Sequence, residues 1–304
     1  MRGTLRNLAV GLLLATAQVH ADAIDAALAL DPPFDARFPA AVVELAIPSQ
    51  AERMPAHAYL AAGKGPHPTV LLHGFPGNER NLDIAQALRR FGFNTVFFHY
   101  RGAWGAEGDY RITQLPDDTL AVLDYLRDPE NATRLRVDTA ALSLLGHSLG
   151  GYTALATGAR DTSLRCVMSL SPVNLGLWQA GMKGPLDANA ERLAAYADSL
   201  FMLEGLSAAR MREELSFADS KILDTRGFGP DLIGKSVLMI VGEQDQVTPA
   251  ATMFDPVVAE YQKLATLDLS AVKLSGDHSF SWSRIALTRE ILGWADDRCR
   301  SDGQ

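Results

Sequence analysis

The stretch "LLGHSLGGY" holds Ser148 between Gly146 and Gly150, after the apolar run 140–145 and before residues 152–159, which read as the opening of a helix. A serine at a sharp strand-to-helix turn is held with its Oγ projecting above the sheet, and side chains at 146 and 150 would collide across so tight a corner. The helix that follows aims its free N–H groups and the positive end of its dipole at the same place. One hydroxyl so placed suits attack on a carbonyl carbon. A neutral serine is a weak nucleophile, however, and needs a base, which in turn needs an orienting acid.

The base is found by elimination. Histidines stand at 20, 57, 67, 73, 99, 147 and 278. A nucleophile on a strand-turn-helix corner is followed in the chain by its acid and then its base, and only His278, in "SGDHSF", follows Ser148. For the acid, "LMIVGEQDQVTP" offers Asp245, three residues past Gly242 on the loop leaving a strand, with Glu243 as competitor. Glu243 is nearer the strand end and less able to reach across. Charge developing on the carbonyl oxygen needs two backbone donors. The Leu149 N–H directly follows the nucleophile, and the Phe75 N–H lies in "HGFPGN" after the third strand. His147 and Arg101 are candidate substrate-binding residues. Arg101, in "YRGAWGAEGDY", could hold a carboxylate, although such an arginine more often makes a structural ion pair.

These pieces require strands and helices in alternation. Strands are expected at 40–49, 54–62, 68–74, 94–100, 140–145, 165–171, 236–242 and 271–276. Helices are expected at 81–92, 116–128 with aspartates as caps, 254–264 and 284–297. That rhythm predicts an α/β fold: a mostly parallel eight-stranded sheet with helices on both faces. Residues 173–230 break it, with helical segments and no clear strand, and read as a helical cap insertion. Its Met and aromatic residues between 178 and 211 fit equally an acyl-binding wall or the buried underside of the cap. Residues 24–40, rich in Ala and Pro, read as an extended lead-in.

The chain has 304 residues, 47% hydrophobic and 21% charged, with a net charge of −8. That balance suits a globular domain and argues against nucleic acid and anionic membrane surfaces, which call for clustered Lys and Arg. Arg2 and Arg6 precede an apolar segment, 8–17, and then small residues, the three parts of a secretory signal. Residues 1–23 are therefore expected to be a signal peptide cut after Ala21 or Ala23, and 24–304 a single α/β domain. The apolar segment is about half of the roughly 20 residues a membrane span needs, so no stable membrane insertion is expected after cleavage. Cys166, in an apolar run, and Cys299, near the chain end, are expected as free thiols, Cys166 behaving as a small buried hydrophobe. No Cys/His spacing suggests a metal.

"LLHGFPGNERN", "FFHYRGAWGAEGDY", "GHSLGGYTAL", "VGEQDQVTP" and "GDHSF" together resemble the α/β-hydrolases, over residues 68–294. The flavour is similar to single-domain enzymes like the catalytic domains of prolyl-oligopeptidase-type peptidases and like dienelactone hydrolases. Dienelactone hydrolases use a cysteine where this chain has Ser148, and the oligopeptidases carry a propeller for which there is no room. Epoxide hydrolases share an "HGFP"-like loop but need aspartate at position 148. The resemblance implies an exported, periplasmic or secreted serine hydrolase without a cofactor, cleaving carboxylic esters through an acyl-enzyme. The alternatives are a peptidase or acyl-aminoacyl hydrolase and, less in keeping with an intact Ser, Asp and His set, a non-catalytic binding protein. The expected partner is a small ester or a short acyl or peptide substrate.

Overall fold

A computed structural model describes residues 21–65, 67–182 and 188–301. Eight strands form one sheet in the order β1-β2-β4-β3-β5-β6-β7-β8. β1 (Ala41–Ser49) and β2 (Glu52–Leu60) make an antiparallel hairpin, Ala41 opposite Leu60 and Ser49 opposite Glu52. β2 runs antiparallel to β4 (Phe93–Phe98). From β4 onward the pairs are parallel, through β3 (His67–Leu72), β5 (Ser143–His147), β6 (Cys166–Leu170), β7 (Ser236–Gly242) and β8 (Asp268–Leu274).

Alternate residues of each strand face opposite sides, so the central strands feed two cores. Val96, Phe98, Leu144, Val167, Val237 and Met239 pack on one face with α3 (Leu115–Arg127) and α5 (Leu149–Arg160). Phe93, Phe97, Leu145, Met168, Leu238 and Ile240 pack on the other with α2 (Leu82–Arg90) and α11 (Arg284–Arg298). Burial on both faces explains why these strands read as continuous apolar runs. The mostly parallel sheet flanked by helices is the expected architecture.

Three local expectations change. Residues 21–29 are helical (α1) rather than extended. Ile24 and Ala27 are buried against the α2–α11 side, and Arg90 Nε donates to Ala27 O at 2.6 Å. Residues 1–20 of the expected signal lie outside the described residues. The aspartates of "PDDTL" do not cap α3. Asp117 and Asp118 sit in its first turn behind Gln114 and Pro116. Cys166 and Cys299 form a disulfide, Cα to Cα 5.7 Å, so the free-thiol expectation is corrected. The last turn of α11 crosses the sheet face on which Cys166 points inward, and both residues join the same core.

After α4 (Pro129–Leu135), the interval between β6 and β7 builds α6 (Leu175–Met182), α7 (Ala188–Asp198), α8 (Ala208–Phe217) and α9 (Ser220–Leu223). This segment is tied to the loop after β4 by a bridge between Ala103 and Leu203 and by Tyr110 N–H to Glu204 O at 2.8 Å. α10 (Asp255–Tyr261) follows β7. Among the described residues no helix is long and apolar enough to cross a membrane.

Candidate active site

β5 ends in a corner. Ser148 has φ 59° and ψ −118°, caps α5, and is 8% exposed. A bulky or branched residue strongly resists positive φ. Here the corner is held by Ser148 N–H to Leu170 O at 2.8 Å. A Cβ on Gly146 would lie 2.0 Å from Gly150 O, so the turn exists only with glycine there. The loop after β3 reaches the same corner, since a Cβ on Gly74 would lie 2.9 Å from Ser148 Cβ. His73 Nδ1 is 2.8 Å from Gly74 O. In a planar trans peptide the N–H points opposite to the C=O, so the Phe75 N–H is turned away from His73. Neither the Phe75 nor the Leu149 N–H donates to another group among the described residues.

Asp245 lies on the loop after β7, its side chain fully buried. Its Oδ1 accepts from Val247 N–H at 2.9 Å and Thr248 N–H at 2.8 Å, and its Oδ2 accepts from Thr248 Oγ1 at 2.7 Å and His278 Nδ1 at 2.8 Å. Burial pushes this carboxyl up, but His278, by hydrogen bond and charge, and Thr248 outweigh it and hold it down at about 2. The carboxylate thus fixes the proton of His278 on Nδ1 and leaves Nε2 as the basic atom. Glu243 is exposed and has no part in this contact. A Cβ on Gly242 would lie 2.4 Å from Gly276 O. Its absence lets the loop bearing His278 fold over the end of β7.

His147 Nε2 donates to His278 O at 2.7 Å, and the two rings are 4.7 Å apart. Burial, then the neighbouring His278, lower the His147 pKa to about 3, keeping it neutral. At 3% exposure, with Nε2 given to that carbonyl, it supports the His278 loop. Arg101 makes the structural ion pair rather than standing free to hold a carboxylate. Its Nε donates to Asp118 Oδ1 at 2.5 Å and its N–H to Asp118 Oδ2 at 3.1 Å, and Asp118 also accepts from Ser49 Oγ at 2.8 Å. A guanidinium 5% exposed in that pair ties α3 to the loop after β4, while Ser49 ties the same carboxylate to the end of β1. The structure therefore joins Asp245 to His278 and sets His278 beside the neighbour of Ser148. Ser148 and His278 are not hydrogen-bonded to each other, and such contacts often tighten only when substrate binds.

Thr248 is the residue that sequence reasoning passed over. Its signal was the Asp-x-x-Thr spacing, in which the aspartate accepts from two N–H groups downstream while the hydroxyl returns to the carboxylate.

The model of a family described as "Alpha/beta hydrolase family" matches residues 69–286. Two proteins of Escherichia coli, each called "Uncharacterized 31.7 kDa protein in traX-finO intergenic region", are 31% identical over 110 residues, or 34% of this chain. The chain spans about a third, 36%, of the length of these curated relatives. Est1E from Butyrivibrio proteoclasticus is 18% identical with a TM-score of 0.62, covering 84% of this chain and 98% of that one. The acylaminoacyl peptidase of Pyrococcus horikoshii is 12% identical with a TM-score of 0.63, covering 87% and 43%. A 2,6-dihydroxy-pseudo-oxynicotine hydrolase is 23% identical with a TM-score of 0.62, covering 86% and 69%. At these identities the likeness is one of fold.

Proposed function

Because the chain belongs to the alpha/beta hydrolase family, we propose that it is a serine hydrolase cleaving carboxylic esters with Ser148 as nucleophile, His278 as base and Asp245 as orienting acid. The observation that carries this reading is the Asp245–His278 contact of 2.8 Å beside a serine held at φ 59°. His278 Nε2 takes the Ser148 proton as Oγ attacks the carbonyl carbon. The N–H groups of Phe75 and Leu149 stabilise the oxyanion. Collapse expels the alcohol, which leaves with the proton from His278. Water, deprotonated by His278, then releases the acid and restores Ser148.

Esters rank before amides for a chemical reason. An amine leaves poorly, so a peptidase must align the scissile nitrogen with His278 through contacts along the peptide, and an aminopeptidase must also bind an α-amine with carboxylates. In the segment between β6 and β7, Glu214 accepts from Thr113 N–H and Oγ1, both at 2.6 Å, and Glu191 is exposed. The Cys166–Cys299 disulfide supports the reading of an exported enzyme, since such bonds persist in oxidising compartments.

The test is a panel of short-chain p-nitrophenyl esters and aminoacyl p-nitroanilides on the purified protein. Ester turnover should dominate, and Ser148→Ala should remove it by roughly 10⁴-fold or more with the fold intact. Near wild-type turnover in that variant would end the mechanism. Anilide hydrolysis with kcat/KM at or above the best ester would promote the peptidase reading.

A further inference from the structure

The loop that carries Phe75 is gripped by a strained residue from elsewhere in the chain. Trp104 has φ 52°, a left-handed conformation that a bulky side chain adopts only where its surroundings over-determine it. Two hydrogen bonds do so. Its backbone N–H donates to Met202 O at 2.8 Å, next to the Ala103–Leu203 bridge, which pins the turn to the segment between β6 and β7. Its indole Nε1 donates to Pro76 O at 2.9 Å. The Arg80 guanidinium lies 5.0 Å from the indole centre and backs the ring.

His73 and Trp104 close on this loop together. His73 holds the carbonyl of the Gly74–Phe75 peptide, and Trp104 holds the carbonyl of the Pro76–Gly77 peptide. A Cβ on Gly77 would lie 2.7 Å from His73 Nδ1 and 3.0 Å from Trp104 Nε1, so the two rings meet at the one residue that leaves them space. Between the two held peptides stands Phe75. With one carbonyl fixed on each side, few backbone rotations remain that could turn its N–H out of the direction it takes, away from His73.

We infer that Trp104 is a positioning residue for the oxyanion donor Phe75, acting through its indole N–H on Pro76; the inference rests on the serine-hydrolase reading above. An oxyanion donor acts only when it is fixed where charge will develop. The grip therefore matters in the transition state and little to the bound ester. Through Met202 the same residue makes the segment between β6 and β7 part of the catalytic scaffold.

The experiment compares wild type, Trp104→Phe and a protein in which Trp104 is replaced by benzothienylalanine, which keeps the shape of the indole and lacks only the N–H. Ester turnover abolished by Ser148→Ala is the control. Both Trp104 variants should lose about 10- to 100-fold in kcat with KM within about threefold, less than the loss of a whole oxyanion donor. Affinity for a boronic acid or trifluoromethyl ketone, which places an anionic oxygen in the hole, should fall in the same proportion. Unchanged kcat in the benzothienyl protein overturns the inference, as does a loss shared equally by KM and the anionic inhibitor, which would mark a merely structural role. Failure of the Ser148 control overturns the hydrolase reading and this one with it. Its success alongside unchanged kcat overturns this one alone.

Discussion

A carboxylate serves an imidazole in two ways, by charge and by choosing the tautomer, and Asp245 is built for both. Its two oxygens accept four hydrogen bonds, one of them from His278 Nδ1. An asparagine at 245 would fit the same space but offer an N–H where His278 needs an acceptor, turning the ring to the tautomer that cannot take the Ser148 proton. Asp245→Asn should therefore lower kcat by roughly 10³- to 10⁴-fold with KM little changed, whereas Glu243→Gln, on an exposed side chain, should stay within about twofold. Steady-state ester kinetics on the two variants decide it, and the reverse order would mean that the acid is misassigned. The proposed set is legible because each member stands in a short pattern with its own mechanical reason: serine between glycines, histidine after the last strand, aspartate past a strand-ending glycine. For Arg101 the sequence suggests an ion pair but cannot name the partner, because Asp118 belongs to a helix 17 residues away. A charge pair of that kind has no signature in the local sequence.

Among the elements, the disulfide is the one that local pattern could not show. Cys166 sits in an apolar strand and Cys299 at a helix end, settings that read alike for a thiol and for half of a disulfide. Only the fold brings together residues 133 apart. The loop they close contains β7, β8, Asp245 and His278, so the bond ties down the half of the chain that holds the proposed acid and base. In the chain-entropy account, closing a loop of that length stabilises the fold by about 5 kcal/mol. The Cys166→Ala, Cys299→Ala double variant should melt on the order of 10 °C lower while keeping its turnover at room temperature, since neither sulfur touches the site. Calorimetry reads the first and ester assays the second. Two titratable thiols in the unreduced, denatured wild type would show that the bond does not form. The strands were legible for the opposite reason: burial on both faces leaves an apolar run with a glycine or polar stop, which needs no knowledge of neighbours. Helix α1 was not, because the prolines at 32 and 33 outweighed the spacing of Ile24, Ala27 and Leu28, whose burial comes from α2 and α11.

At the scale of the whole molecule the buried histidines set a limit on acid tolerance. Besides His278, the fold encloses His73 and His147, both buried, and leaves half-buried His99 beside His73 and His57 against Phe97. Burial comes first among the causes lowering all four, and it takes His73 to about 4 and His147 to about 3, from 6.5 in the open chain. Between those values and 6.5 the unfolded chain binds protons that the folded one refuses. Stability therefore rises with pH across this window and is lost as pH falls below 6.5. His73 and His147 together give a slope of up to about 3 kcal/mol per pH unit, steep against the roughly 5–15 kcal/mol that holds a domain folded. Asp245 works at lower pH. Its folded value of about 2 lies below its ordinary 3.8, so its contribution is complete above 3.8 and disappears only as pH drops toward 2. The melting temperature should thus hold near neutrality, begin to fall near pH 6.5 and drop steeply by pH 4.5, before any carboxylate of the site is neutralised. Calorimetry across that range checks the fall, and unfolding enthalpies at pH 5 in buffers of different ionisation heat should reveal an uptake of about two protons or more per molecule. A melting temperature unchanged from pH 7 to 4.5 would mean that these rings take up protons inside the fold, and that the packing of His73 under the Phe75 loop and of His147 under the His278 loop is looser than the structure has it.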